Sequence, residues 1–119
     1  MIKLIKEFLD SRELVLRVDD AKKYAKRFEL YADGSYSYLL NYKWRVVKNG
    51  KILFRSTERP MSIDEDAYIF QTENQKWTLF VEGQVVIENA DEIWRVRPGT
   101  FAYQINGREY TVKNIDKQS

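Results

Sequence analysis

The side chains best suited to chemistry in this chain are basic and aromatic residues that run together. Lys22, Lys23, Tyr24, Lys26 and Arg27 form one such group, Tyr42, Lys43, Trp44 and Arg45 a second, and Lys48, Lys51, Arg55 and Arg59 follow. Sheet-based nucleic-acid binders place rings where bases stack and surround them with Lys and Arg for the phosphates. Arginine beside aromatic rings also serves protein interfaces, where such residues hold the partner. Carboxylates gather twice, as Asp64, Glu65 and Asp66 and as Glu88, Asp91 and Glu92. Neither group has the alternating oxygen ligands and bend glycine of a calcium loop, nor a partner at a spacing that makes an acid–base pair. They read as solvated caps and loops.

Histidine and cysteine are both missing. That removes the usual general base, the triads built on it, thiolate nucleophiles, disulfides and the commonest transition-metal ligands. There is no phosphate loop and no dinucleotide fingerprint. The expectation is a non-enzymatic protein with no catalytic residue, no cofactor and no metal.

The elements that position these residues come from alternation and turns. From Tyr36 to Val46 every even position is large and mostly aromatic, while the odd positions include Ser37, Asn41, Lys43 and Arg45. A period of two predicts a strand with its even face in the core. Asn49-Gly50 suits a type I′ turn and brings Lys51 to Arg55 back on Arg45 to Lys48. An unbroken register sets Val47 against Ile52, Arg45 against Phe54 and Trp44 against Arg55. The run Ser35 to Lys48 exceeds the usual strand of about 3–10 residues, so a bend or bulge is expected within it.

The same design recurs. An aromatic residue stands six positions before a turn glycine at Phe28 and Gly34, Trp44 and Gly50, Trp77 and Gly83, and Phe101 and Gly107. In a two-residue hairpin such a ring covers its cross-strand partner and pins the register. Trp77 should therefore face Glu88, and Phe101 should face Val112. The unequal spacing of the glycines points to an antiparallel meander and excludes a fixed-period solenoid.

Elsewhere Ile2, Leu4, Ile5, Phe8 and Leu9 fall at the spacing of a short amphipathic helix. Glu13 to Val18 reads as a strand. Asp19 to Phe28 fits either a helix with Asp20 as N-cap or a turn and strand, with strand favoured by Arg27. Ser62 followed by Glu65 has the form of a capping box, predicting one helical turn over Ile63 to Asp66 before a strand at Ala67 to Gln71. Pro98-Gly99 marks a turn after the strand Glu92 to Arg97. The fold class is thus mainly β with about nine strands, a curled antiparallel meander closing as a barrel or sandwich, with a helix near the N-terminus.

At 119 residues, 44% hydrophobic and 32% charged, the chain fits one β-rich domain over residues 1–115 with a frayed tail at 116–119. No stretch is apolar enough for a signal peptide or a membrane span, so a cytoplasmic protein without membrane contact is expected. Abundant Lys, Glu, Ile, Asn and Tyr, with two prolines and no histidine, suit an AT-rich bacterial or phage coding sequence. The net charge of +2 divides into +6 over residues 1–59 and −4 over residues 60–119. A dipolar molecule results if the strands of the two halves do not interleave.

Across the Asn49-Gly50 hairpin, the face carrying the charges also carries Leu39, Val47, Ile52 and Phe54. A sheet apolar on both sides is either covered within the chain or docks a partner. The expected role is docking on another protein, as a small bacterial or phage regulator or inhibitor, with an acidic partner matching the basic half. The alternative is binding of single-stranded nucleic acid or a phosphorylated small ligand. The candidate binding residues are Lys43, Arg45, Lys48, Lys51, Phe54, Arg55 and Arg59.

Overall fold

The computed structural model describes residues 14–72 and 74–113. Among these, α1 is Val18–Tyr24, and eleven strands follow: β1 Arg27–Leu30, β2 Tyr36–Leu40, β3 Lys43–Lys48, β4 Lys51–Ser56, β5 Met61–Asp64, β6 Ala67–Gln71, β7 Trp77–Val81, β8 Gln84–Ala90, β9 Glu92–Arg97, β10 Thr100–Ile105 and β11 Arg108–Lys113. The fold is mainly β and wholly antiparallel. Within each sheet, strands adjacent in sequence pair with one another, giving three open meanders in the orders β1-β2-β3-β4, β5-β6-β7-β8 and β11-β10-β9. No barrel closes. The helix expected over Ile2 to Leu9 and the tail at 116–119 lie outside the described residues.

The glycine turns form where the dipeptides predict them. Asn49-Gly50, Glu82-Gly83 and Asn106-Gly107 have both residues at positive φ, as a type I′ turn requires, and Gly99 follows Pro98 at φ 77°. Phe101 faces Val112 and Tyr103 faces Tyr110, as alternation requires. Val47 faces Ile52, but a bulge at Leu53 then sets Val46 against Phe54, Arg45 against Arg55 and Trp44 against Ser56. Arg45 therefore does not face Phe54, nor Trp44 Arg55. Two further irregularities in β7–β8 bring Trp77 opposite Ala90, not Glu88. Asn89, at φ 58°, takes the left-handed conformation within that bulged segment.

The largest departure from the alternation concerns Ser35 to Lys48. The run does not merely bend; it reverses at Asn41-Tyr42, both left-handed at φ 52° and 67°, with Leu40 and Lys43 as the closing pair. Residues opposed in a ladder share a face, so Tyr36 and Tyr38 align with Val47 and Arg45, while Trp44 and Val46 join Ser37 on the other side. The single even-numbered stripe is divided between two faces. Tyr42 leaves the core altogether.

Three smaller expectations also change. Residues 14–17 precede α1 without regular structure instead of forming a strand, and the N-cap is Arg17, not Asp20. Asp19 to Phe28 is a helix first and a strand from Arg27. Ile63 to Asp66 does not form a helical turn: Met61 pairs with Ile69, Ser62 with Tyr68 and Asp64 with Ala67, so ladder bonds take the backbone groups that a single turn would have used.

The layers succeed one another in chain order. Ala21 of α1, with Val15 and Leu16, packs on Tyr38 and Val47 of the first sheet. The opposite face of that sheet contributes Val46, Leu53 and Phe54 to a cluster with Tyr68, Phe70 and Phe80 of the second sheet. On the far side of the second sheet, Ala67, Ile69, Leu79 and Val81 meet Ile93 and Phe101 of the third. Both faces of the β3–β4 hairpin are therefore covered from within the chain. The extents of 47 × 29 × 25 Å suit such a stack. No helix among the described residues is long and apolar enough to cross a membrane.

Candidate binding surface

Most of the conspicuous charges join the layers together. Lys48 pairs with Asp66 in the turn between β5 and β6 and with Asp33, 3.4 Å away, in the loop between β1 and β2. Asp33 in turn accepts from the Ser35 N–H and hydroxyl, and the Tyr68 hydroxyl donates to Ser35 Oγ at 2.8 Å. Desolvation would raise the Asp33 carboxyl, but the Ser35 bonds and Lys48 outweigh it and hold it below its ordinary 3.8. Desolvation would likewise lower Lys48, and Asp66 and Asp33 prevail to raise it. Beside this group the Tyr31 hydroxyl lies 2.8 Å from Ser37 Oγ and donates to the Pro60 carbonyl at 3.3 Å. Burial pushes the Tyr31 phenol up to about 12.

The acidic groups seen in the sequence have similar duties. Asp64 accepts the Gly99 N–H at 2.8 Å and stands 3.7 Å from Arg95, tying the second sheet to the turn before β10. Asp91, the single residue between β8 and β9, pairs with Lys76 and accepts the Asn106 N–H at 2.9 Å. Those two contacts hold its carboxyl below the ordinary value. Among the described residues no group of three or more acidic side chains could hold a metal ion.

The seven candidate residues do not form one surface. Phe54 is part of the core between the first two sheets, its ring 4.4 Å from that of Phe80. Arg45 is 8% exposed and donates to the carbonyls of Leu40 and of Lys43, the latter at 2.9 Å, clamping both ends of the Asn41-Tyr42 turn. Lys48 is held as described above. Lys43, Lys51, Arg55 and Arg59 are exposed, and Arg59 pairs with Glu29.

The reversal at residues 41–42 creates a surface that strict alternation conceals. Tyr42 stands 93% exposed and Tyr24, at the end of α1, 63% exposed. Together with Lys26, Leu39, Leu40 and Asn41 they line an open pocket of about 360 Å³. The Lys23 ammonium lies 5.2 Å from the centre of the Tyr24 ring, and Lys22 lies 5.6 Å from that of Phe28. Lys43 follows Tyr42 directly. The first two basic and aromatic groups of the sequence thus meet at one end of the first sheet. The surface offers two rings, an apolar floor and ammonium groups.

No family model, curated protein or solved structure matches the chain.

Proposed function

We propose that this protein is a non-enzymatic binding module that docks an acidic segment of another protein on the surface formed by Tyr24, Lys26, Leu39, Leu40, Asn41, Tyr42 and Lys43. Tyr42 carries the reading. A bulky side chain in the left-handed region is strained by about 1 kcal/mol or more, and this ring recovers none of that by packing. Strained backbone clusters at binding sites, and here it holds an exposed ring. Tyrosine rings over an apolar floor suit the anchor of a protein interface, and the surrounding lysines suit carboxylates. The composition extends the proposal to a small bacterial or phage regulator or inhibitor. The charges favour a second reading, in which a base of single-stranded nucleic acid, or the ring of a phosphorylated ligand, stacks on Tyr42.

A photocrosslinking amino acid at position 42, with a second at Glu109 as control, tests the proposal in cells that make the protein. An adduct with a specific acidic protein, present from 42, absent from 109 and lost on Lys26→Glu, is the expected result. A nucleic-acid adduct with the same pattern establishes the second reading instead. Equal, nonspecific adducts from both positions overturn both.

A further inference from the structure

Among the described residues the three sheets end in six edge strands, β1, β4, β5, β8, β9 and β11. An open edge is a template for pairing with another chain, and folds blunt it by keeping it short or by bulging it. Four of the six carry the extra residue of a bulge on the edge strand itself: Leu53 in β4, Ile63 in β5, Val86 in β8 and Val96 in β9. β1 has only four residues, and its Glu29 is engaged by Arg59. β11 has neither protection. It runs six residues, pairs with β10 without a register shift, and exposes every side chain but the half-buried Val112.

The backbone groups on the open side of β11 follow from the ladder. The Asp91 N–H donates to the Gln104 carbonyl at 2.8 Å, so the even residues of β10 bond toward β9, and the Ile105–Arg108 pair that closes the type I′ turn bonds toward β11. Arg108, Tyr110 and Val112 thus spend their backbone groups on β10, while Glu109, Thr111 and Lys113 aim theirs outward. A second β11 meeting this edge antiparallel, about a two-fold axis through Thr111, sets Thr111 against itself, Tyr110 against the partner's Val112 and Glu109 against the partner's Lys113. Thr–Thr, aromatic–β-branched and opposite-charge pairs are the cross-strand pairs that stabilise a sheet. Other edges are not self-complementary in this way: about Leu53, β4 sets Lys51 against Arg55, and about Arg95, β9 sets that arginine against itself. The second sheet meets the third mainly through β9 and β10, so it does not crowd the approach to β11. Tyr110, 42% exposed with its ring 5.3 Å from that of Tyr103, gains cover from the incoming strand. We propose that two copies of this chain associate edge to edge through β11, joining two three-stranded sheets into one of six strands. The contact does not involve the Tyr24–Tyr42 surface, which belongs to α1 and the first sheet.

A six-residue ladder is small for a specific interface, so the dimer is weak, with a dissociation constant on the order of 100 µM. Sedimentation equilibrium of the purified full chain, from about 10 µM to about 1 mM, spans that range. Glu109→Lys and Lys113→Glu each place like charges opposite one another twice, and each should weaken self-association about tenfold. An equimolar mixture of the two variants, in which every 109–113 pair is again opposite in sign, should recover the parent's affinity, which a folding defect could not produce. Thr111→Pro removes an outward N–H and no bond to β10, so it should give a monomer with the parent's circular dichroism. A parent chain that stays monomeric at about 1 mM overturns the inference. So do single charge variants that dimerise as tightly as the parent, or a mixture that associates no better than either variant alone.

Discussion

At position 42 a glycine would fit the backbone better than the tyrosine that stands there. Tyr42→Gly relieves the left-handed strain at φ 67° and removes a ring that touches no core, so unfolding in urea should show a gain of about 0.5–1 kcal/mol with unchanged slope. The same change should abolish the position-42 contacts with a partner, an opposition of stability and function expected where strain serves a site. Phe54→Ala should behave in the opposite way and cost roughly 3 kcal/mol, because it empties space among Tyr68, Phe70 and Phe80. Lys51→Ala and Arg55→Ala should stay within about 0.5 kcal/mol of the parent in the same assay. Residue by residue, the basic and aromatic composition was legible but its orientation was not. Tyr42, Trp44 and Val46 share parity in the sequence, and only Asn41, which tolerates left-handed φ, hints that parity is broken there. Arg45 has the appearance of a surface cation because nothing local reveals that its guanidinium bonds turn carbonyls.

The hairpins were legible wherever an Asn-Gly or Glu-Gly pair sets the turn, and Phe101 to Val112 kept its register through the whole ladder. Registers failed at Trp44 and Trp77, where bulges insert residues whose φ and packing are decided by the neighbouring sheet. The sequence of helix Val18–Tyr24 suits two structures, because its apolar positions also satisfy a strand, and contact with Tyr38 and Val47 decides between them. The loop between β1 and β2 joins the first sheet to the second through ionisable groups, so its stability should follow pH at both extremes. Asp33 is held below 3.8 in the fold; its contribution is present above the unfolded value and lost as pH falls through the folded one. Tyr31 is raised from 10.0 to about 12; its contribution is complete below pH 10.0 and lost as pH rises toward 12. Thermal unfolding measured across pH should therefore lose an acid limb in Asp33→Asn and an alkaline limb in Tyr31→Phe. Tyr31→Phe should also cost about 1–2 kcal/mol near neutrality, since it takes a donor from the Pro60 carbonyl.

For the whole molecule, the mainly β class and the antiparallel meander were legible, while the choice between barrel and sandwich was not. Closure depends on how sheets meet, and here each sheet ends before its edge finds another. The charge division was legible as well, and the folding order makes it matter. Because the sheets do not interleave, the surplus of lysine and arginine in residues 1–59 stays with α1 and the first sheet, and the acidic surplus stays with the other two. Association with an acidic partner at the Tyr24–Tyr42 surface should therefore slow markedly from about 50 to 500 mM salt in stopped-flow, with dissociation changing far less.

That strict succession of layers also orders events in time. A chain emerging from a ribosome presents all of β1 to β4 before any of β5, and all of the second sheet before β9. Each meander can form from its own residues, but its second face stays bare until the next is made: first Val46 and Phe54, then Ile69 and Leu79. Synthesis halted after Ala90 should yield a species that binds a hydrophobic dye through the unpaired side of the second sheet, a signal that disappears once β9 to β11 are added. The nascent protein is stickiest at two predictable lengths, and those are the lengths at which a chaperone would have most to hold.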